Sequence, residues 1–164
     1  MKKYHFLLLL VLITVSCTED IRFNNPAFQT LKDNVFWRAA TYKASIATNG
    51  NIVIEGTLGY EKVILQVSDF GDRTYVLGID NVTTASYLNA FPGGVSEFST
   101  GANKGSGQIV ITNIGNTTSG IGNTISGTFK FTAINNDAAD AENPKVTFTE
   151  GVFYKIPITP TIEY

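Results

Sequence analysis

The feature that most constrains the fold of this chain is the regular alternation of side chains over residues 125–134. Apolar or small residues alternate there with serine, threonine and lysine, and the first set is Ile125, Gly127, Phe129, Phe131 and Ala133. Successive side chains of a strand point to opposite faces of a sheet, so this period of two predicts a half-buried antiparallel strand. A slip of one residue would expose both phenylalanines, and the pattern therefore favours one register.

Short apolar segments punctuated by glycine and asparagine continue this pattern along the chain. Further strands are predicted at residues 35–40, 42–48, 52–58, 62–68, 74–78, 108–112, 145–149 and 152–156. Asn49 and Gly50 lie between two of these segments, and both tolerate the positive φ of a hairpin turn. We expect one all-β domain, a single antiparallel β-sandwich with a closed β-barrel as the alternative. Little or no helix is expected after the N-terminal signal, and only residues 84–90 fit helical as well as strand spacing.

The N-terminus has a different pattern, in which Lys2 and Lys3 precede an apolar run over residues 6–15. A membrane-spanning helix needs about 20 apolar residues, so this shorter run is typical of a secretory signal. Its end, Ser16-Cys17, resembles the signal of bacterial lipoproteins, which implies acylation of Cys17. We therefore expect a signal peptide at residues 1–16, a lipidated Cys17 with a polar tether through residue 30, and a domain at residues 31–164. A plain secretory signal with a chance cysteine is the alternative.

An acidic pair, Glu19 and Asp20, follows the cysteine almost directly. It resembles the export tag that sends Bacteroidota lipoproteins to the outer face of the outer membrane. The resemblance implies a protein anchored to the outer membrane through its acyl chains and displayed at the cell surface. The alternative is a solvated tether on a protein held at the periplasmic face.

Two residue types are missing from the chain after Cys17. His5 is the only histidine and Cys17 the only cysteine. Hydrolysis by a histidine-assisted serine or cysteine therefore lacks its base, and a zinc site lacks its preferred ligands. We expect a domain that is not an enzyme and that is held together without a disulfide.

The charge of the chain argues against nucleic acid as a partner. The full chain carries a net charge of −2, and loss of Lys2 and Lys3 leaves ten basic against fourteen acidic residues, hence −4. Phosphate binding needs clustered lysine and arginine, whereas the basic residues here are spread singly. The partners we expect are the membrane and a glycan or protein at the cell surface.

A resemblance to a known family rests on three segments: residues 33–39 (DNVFWRA), 125–133 (ISGTFKFTA) and 148–156 (FTEGVFYKI). Together they resemble a family of uncharacterised Bacteroidota lipoproteins with a domain of unknown function. The resemblance covers nearly the whole mature chain. It implies location and domain extent, and it implies no catalytic residues because the family has no established activity.

Oxygen ligands are concentrated in one predicted loop, residues 135–143. Asp137, Asp140 and Glu142 lie there, and carboxylates of this kind suit calcium. The spacing lacks the central glycine and distal glutamate of an EF-hand loop. A solvated hairpin loop is therefore the favoured interpretation, and a weak calcium site is the alternative.

Aromatic residues supply the other candidate site. Phe91 and Phe98 lie in a glycine-rich segment, residues 89–107, that is predicted as a long loop, where function is often found. Trp37 is predicted mainly as a core residue and otherwise as a ligand-binding ring. The opposing interpretation of residues 89–107 is a mobile hairpin whose aromatic rings pack back onto the sheet.

These observations favour a lipid-anchored cell-envelope protein with a non-enzymatic binding or structural accessory role. The ligand is left open by the sequence. The alternatives are a glycan-active enzyme that uses carboxylates alone and a calcium-stabilised adhesion module. Glycoside hydrolysis needs two carboxyl groups held about 5 to 9.5 Å apart, and no pair is placed in this way by the sequence.

The predicted anchor can be tested directly. We expect Cys17→Ala to move the protein from the membrane fraction to the soluble fraction, because the substitution removes the acylated atom. Fractionation of cells that express either form, followed by immunoblotting, measures the change. A variant that stays in the membrane fraction would show that the chain is held there by something other than an acyl group on Cys17.

Overall fold

The computed structural model describes residues 27–69, 71–114 and 124–160. These residues form eleven strands: β1 (Ala27–Lys32), β2 (Val35–Arg38), β3 (Thr41–Ile46), β4 (Ile52–Leu58), β5 (Glu61–Val67), β6 (Thr74–Leu77), β7 (Thr84–Asn89), β8 (Ser96–Ser99), β9 (Ser106–Ile114), β10 (Thr124–Asn135) and β11 (Lys145–Pro160). Within the same ranges, no helix has the length and apolar character needed to cross a bilayer.

All eleven strands belong to one sheet with the order β2-β1-β11-β3-β4-β5-β7-β8-β10-β9-β6, and β10 also pairs with β11. This extra pairing joins strands that are otherwise separated by five others, so the sheet must bend back on itself. The strands β2-β1-β11-β10-β9-β6 form what we call the first half, and β3-β4-β5-β7-β8 form the second half. The end of β11 continues into the second half beside β3, and the end of β10 meets β8.

The pairing of β10 with β11 places phenylalanines opposite glycines. Phe129 lies across from Gly151, and Phe153 lies across from Gly127. A Cβ atom on Gly151 would lie 2.6 Å from the Phe129 ring and 2.6 Å from its carbonyl oxygen, which no real Cβ atom tolerates. Glycine is therefore required at this position because a ring fills the place of its side chain.

The two halves face each other across the core. A Cβ atom on Gly56 of β4 would lie 2.7 Å from the Phe28 ring of β1, which shows how closely these strands approach. The rings of Tyr87 on β7 and Phe148 on β11 lie 5.5 Å apart between centroids. Phe28, Phe148 and their apolar neighbours are fully buried, so one core is shared by both halves.

The prediction of an all-β fold is confirmed, and the sheet that bends back on itself is consistent with a β-sandwich. One pairing departs from the antiparallel prediction, because β11 runs parallel to β3 where it leaves the first half. Residues 84–90 contain strand β7 and no helix. The segments predicted at 145–149 and 152–156 are one strand, interrupted where Glu150 adopts a φ of 53°.

The N-terminal boundary of the fold also differs from the prediction. Strand β1 begins at Ala27, inside the segment predicted as a tether, and Phe28 is fully buried. Polar neighbours hide this short strand from a search for periodic patterns. The predicted signal, Cys17, and the acidic pair lie outside the described residues.

Substitution of Gly151 by alanine tests the packing of β10 against β11. We expect Gly151→Ala to lower the free energy of unfolding by about 1–3 kcal/mol, because the added methyl group overlaps the Phe129 ring and backbone. Chemical denaturation measures the change. The matched control is Gly94→Ala, since a Cβ atom there meets nothing within 4 Å, and its effect is expected within about 0.5 kcal/mol. Equal effects of the two substitutions would contradict this account of the core.

Candidate functional site

Segments that are far apart in the sequence meet at one end of the fold. The β1–β2 hairpin, the last residues of β7, the start of β8 and the start of β11 enclose a pocket of about 300 Å³, which we call the end pocket. Its lining includes Lys32, Tyr87, Asn89, Ser96, Phe98 and Lys145. Polar and aromatic side chains thus share one small concave surface.

The β1–β2 hairpin is fixed in place by its turn. Asp33 and Asn34 have φ values of 48° and 66°, which is the geometry of a tight two-residue turn. The Asp33 backbone N–H donates to the Thr147 carbonyl at 2.8 Å, and Asp33 Oδ1 accepts the Thr147 N–H at 2.9 Å. This double contact docks the turn on β11 and carries Asp33 and Lys32 into the lining of the end pocket.

A network of polar side chains lies beside the end pocket and joins the two halves of the fold. Glu61 of β5 accepts hydrogen bonds from Lys32 and from the Tyr87 hydroxyl through Oε1, and from Trp37 Nε1 through Oε2 at 3.0 Å. Lys32 Nζ also donates to the Tyr87 hydroxyl oxygen at 3.1 Å. We call Lys32, Trp37, Glu61 and Tyr87 the Glu61 cluster.

The electrostatics of the Glu61 cluster fix its protonation. Burial raises the pKa of Tyr87 to about 12, so the phenol keeps its proton. Burial alone would raise the pKa of Glu61, but the hydrogen bonds from Lys32, Tyr87 and Trp37 outweigh it and lower that pKa below its usual value. Burial likewise opposes the charge of Lys32, whereas its bonds to Glu61 and Tyr87 raise its pKa. The cluster is therefore a carboxylate, an ammonium and a neutral phenol at neutral pH.

Two exposed aromatic rings lie in turns at the same end of the fold as the end pocket, outside its lining. Tyr60 stands in the turn between β4 and β5, Phe91 follows β7, and their rings meet edge to face with centroids 5.6 Å apart. The Ala90 N–H donates to the Tyr60 carbonyl at 3.0 Å and holds the two turns together. Tyr60 is 56% exposed and Phe91 is 62% exposed. Asn89, which lines the pocket, is two residues before Phe91.

The predicted aromatic residues have different positions around this site. Phe91 belongs to the exposed ring pair, and Phe98 is buried on β8 and lines the end pocket. Trp37 is also buried, with its ring against Phe28 at 6.0 Å, and its N–H is taken by Glu61. The core interpretation of Trp37 therefore matches its packing, and Trp37 reaches the site only through Glu61. Residues 89–107 are not one loop, because they contain β8.

The predicted calcium loop forms a hairpin turn with internal hydrogen bonds. Asp137 Oδ1 accepts the Ala139 N–H at 2.9 Å, and Asp140 accepts the Asn143 N–H at 3.1 Å and the Asn135 amide at 3.0 Å. Across the described ranges, no three His, Cys, Asp or Glu side chains, Glu142 included, are close enough together to hold a metal ion. Calcium binding stays a prediction. What the loop does in the structure is place Asn143 in the lining of the end pocket.

Sequence reasoning did not single out Lys32, Glu61 or Tyr87 as a group. They lie on three strands, and no periodic pattern links residues that meet only through the folding of the sheet. One sequence feature could have indicated this cluster: Lys32 and Glu61 each lie at a strand end, next to turn residues. A long charged side chain at such a position can reach both core and solvent.

Comparison with protein families gives a match over most of the chain. A model described as a domain of unknown function (DUF6252) matches residues 24–157. The chain belongs to the DUF6252 family. The matched DUF6252 region begins just before β1 and ends within β11, so the Glu61 cluster and the end pocket lie inside it. No curated protein and no solved structure matches the chain.

Removal of the central carboxylate tests the Glu61 cluster. We expect Glu61→Gln to lower the free energy of unfolding by roughly 1–2 kcal/mol at neutral pH, because Lys32 loses its counter-charge. The folded-state pKa of Glu61 is lowered, so its contribution is present above the ordinary value of 4.5 and is lost as the pH falls through the folded value. The difference between wild type and variant, measured by urea denaturation, is therefore expected to shrink in acid.

Glu97→Gln is the matched control, because Glu97 is exposed on β8. Its effect is expected to stay within about 0.5 kcal/mol. A loss for Glu61→Gln that is no greater than for Glu97→Gln, or that grows as the pH falls, would contradict the charge assignment of the cluster.

Proposed function

We propose that this DUF6252 protein is a lipid-anchored cell-envelope protein whose domain binds a saccharide, without catalysis, at the end pocket. The observation that carries the proposal is the exposed pair of Tyr60 and Phe91 beside a pocket with polar lining. Sugar rings present apolar C–H faces and polar hydroxyl edges. Aromatic rings can stack on the C–H faces, and the amide of Asn89 and the hydroxyl of Ser96 can form hydrogen bonds with the hydroxyl edges.

The fixed geometry of the Glu61 cluster supports a binding role. Lys32 and Tyr87 both line the pocket and are both held by Glu61, so the two side chains are fixed in position before any ligand arrives. A preorganised site loses less side-chain entropy on binding than a flexible one. A volume of about 300 Å³ is at the lower end of the range for ligand pockets, which favours a small unit such as one sugar ring.

The same contacts argue against acid–base catalysis. Glu61 accepts from three donors and keeps its charge, whereas a general acid of a glycosidase needs a raised pKa. Asp33, the carboxylate in the pocket lining, is engaged by the Thr147 N–H. Neither group is arranged to deliver a proton to a leaving group. Binding without turnover is the role that fits the contacts of both carboxylates.

The location part of the proposal rests on the N-terminal sequence. The charged and apolar run before Cys17 and the acidic pair after it favour a lipoprotein of the Bacteroidota type. Acylation at Cys17 would tether the domain to the outer membrane, at the cell surface or at its periplasmic face. Glycans are accessible to such a protein on either side.

The binding proposal is tested by substitution of the exposed ring. The probe is a set of hexasaccharides from linear glucan, mannan and xylan, titrated into the full chain by calorimetry. We expect at least one of them to bind and Phe91→Ala to weaken its binding about tenfold, because the variant loses a stacking surface.

Phe36→Ala is the matched control, because Phe36 is 64% exposed on β2 and is not part of the ring pair of Tyr60 and Phe91. The affinity of this variant for the hexasaccharide is expected to stay within about twofold of wild type. The proposal is wrong if no probe binds, or if Phe36→Ala and Phe91→Ala weaken binding equally.

A further inference from the structure

A second concave surface lies on the outer face of the first half, where β9, β10 and β11 run side by side. Three shallow depressions with volumes of about 220, 510 and 560 Å³ follow one another along it. The first and second share Lys130, and the second and third share Thr128 and Val152. They form one continuous channel, which we call the outer groove.

The outer groove carries mainly hydroxyl and amide side chains. The alternation along β10 sends Phe129 and Phe131 into the core and leaves Ser126, Thr128 and Thr132 on the outer face. Gln29, Gln108 and Thr147 line the same channel from neighbouring strands. Each hydroxyl and amide can both donate and accept a hydrogen bond, as can each hydroxyl of a sugar.

The outer groove and the end pocket are neighbours. Thr147 lines the groove, and its N–H donates to Oδ1 of Asp33, which lines the end pocket. Residues 126–132 of β10 cover roughly 20 Å at the rise of a strand. The groove is therefore much longer than one sugar ring, and the bond between Thr147 and Asp33 brings one end of it next to the pocket.

The charges along this path are nearly balanced. The end pocket and its Glu61 cluster contribute Lys32 and Lys145 against Asp33 and Glu61, and the outer groove contributes Lys130 and Lys155 against Glu150. A strongly acidic or basic polymer would find no surface of opposite sign. The path therefore suits an uncharged chain.

We infer that the ligand of this protein is a linear neutral polysaccharide, with one unit in the end pocket and the following units along the outer groove. This inference rests on the proposed function, because it takes the end pocket as a saccharide site. It adds the class of ligand and the direction in which the chain leaves the pocket, past Asp33 and Thr147 toward Thr128 and Tyr154. Tyr154 gives the far end of the groove an aromatic ring.

Chain length is the variable that tests the inference. The probes are neutral glucan, mannan and xylan oligomers from disaccharide to hexasaccharide, titrated into the full chain. We expect the affinity for the matching series to rise at least about tenfold from the disaccharide to the hexasaccharide, because added units contact the groove. Thr128→Arg fills the middle of the groove from an exposed position and is expected to remove this gain while disaccharide binding is unchanged.

Thr41→Arg is the matched control, because it adds the same charge at an exposed threonine of β3 in the second half. It is expected to keep the full gain with chain length. Equal affinity for short and long oligomers would overturn the proposed role of the outer groove and leave the end pocket as a saccharide site. A gain in affinity with chain length that Thr128→Arg does not reduce would also overturn the role of the outer groove. Absence of binding at every length would overturn both proposals.

Discussion

The packing of phenylalanine rings against glycines between β10 and β11 holds the two halves of the sheet on one core. Phe129 faces Gly151 and Phe153 faces Gly127, so each ring occupies the space that a side chain would take on the partner strand. The two strands can then lie close together while their rings fill the core. Because β10 and β11 reach both halves of the sheet, this contact brings strands that are distant in the sheet order onto a common core.

The functional end of the molecule follows from that arrangement. Strand β1 pairs with β11 and is held over the core by Phe28, which brings Lys32 opposite β5 and β7. Glu61 then completes a network that neither half could form alone. The polar cluster is fixed because its backbone is fixed by the core, and the pocket beside it inherits the same rigidity. On the other side of β10 and β11, the residues between the buried rings form the outer groove.

The sequence predicted those parts of the fold in which pattern and burial agree. Residues 52–58 match β4, and the alternation at 125–134 lies within β10, because one face of each strand is buried. Strand β1 was missed because its polar surroundings obscure a short run, and β8 because its four residues are surrounded by turn-forming glycines. The Glu61 cluster could not be predicted, since its members come together only through long-range strand pairing. Phe91 was identified from its loop composition, and its partner Tyr60 was not linked to it.

Ligand binding at the end pocket is the proposal from which the other functional inferences follow. Amide chemical-shift mapping of the isotope-labelled full chain during titration with the best-binding hexasaccharide tests it most directly. Large shifts are expected at Asn89, Phe91 and Lys145, around the pocket and its aromatic pair. Further shifts are expected along the outer groove at Thr128 and Tyr154. Shifts confined to β3 and β4, or spread evenly over the surface, would contradict this proposal.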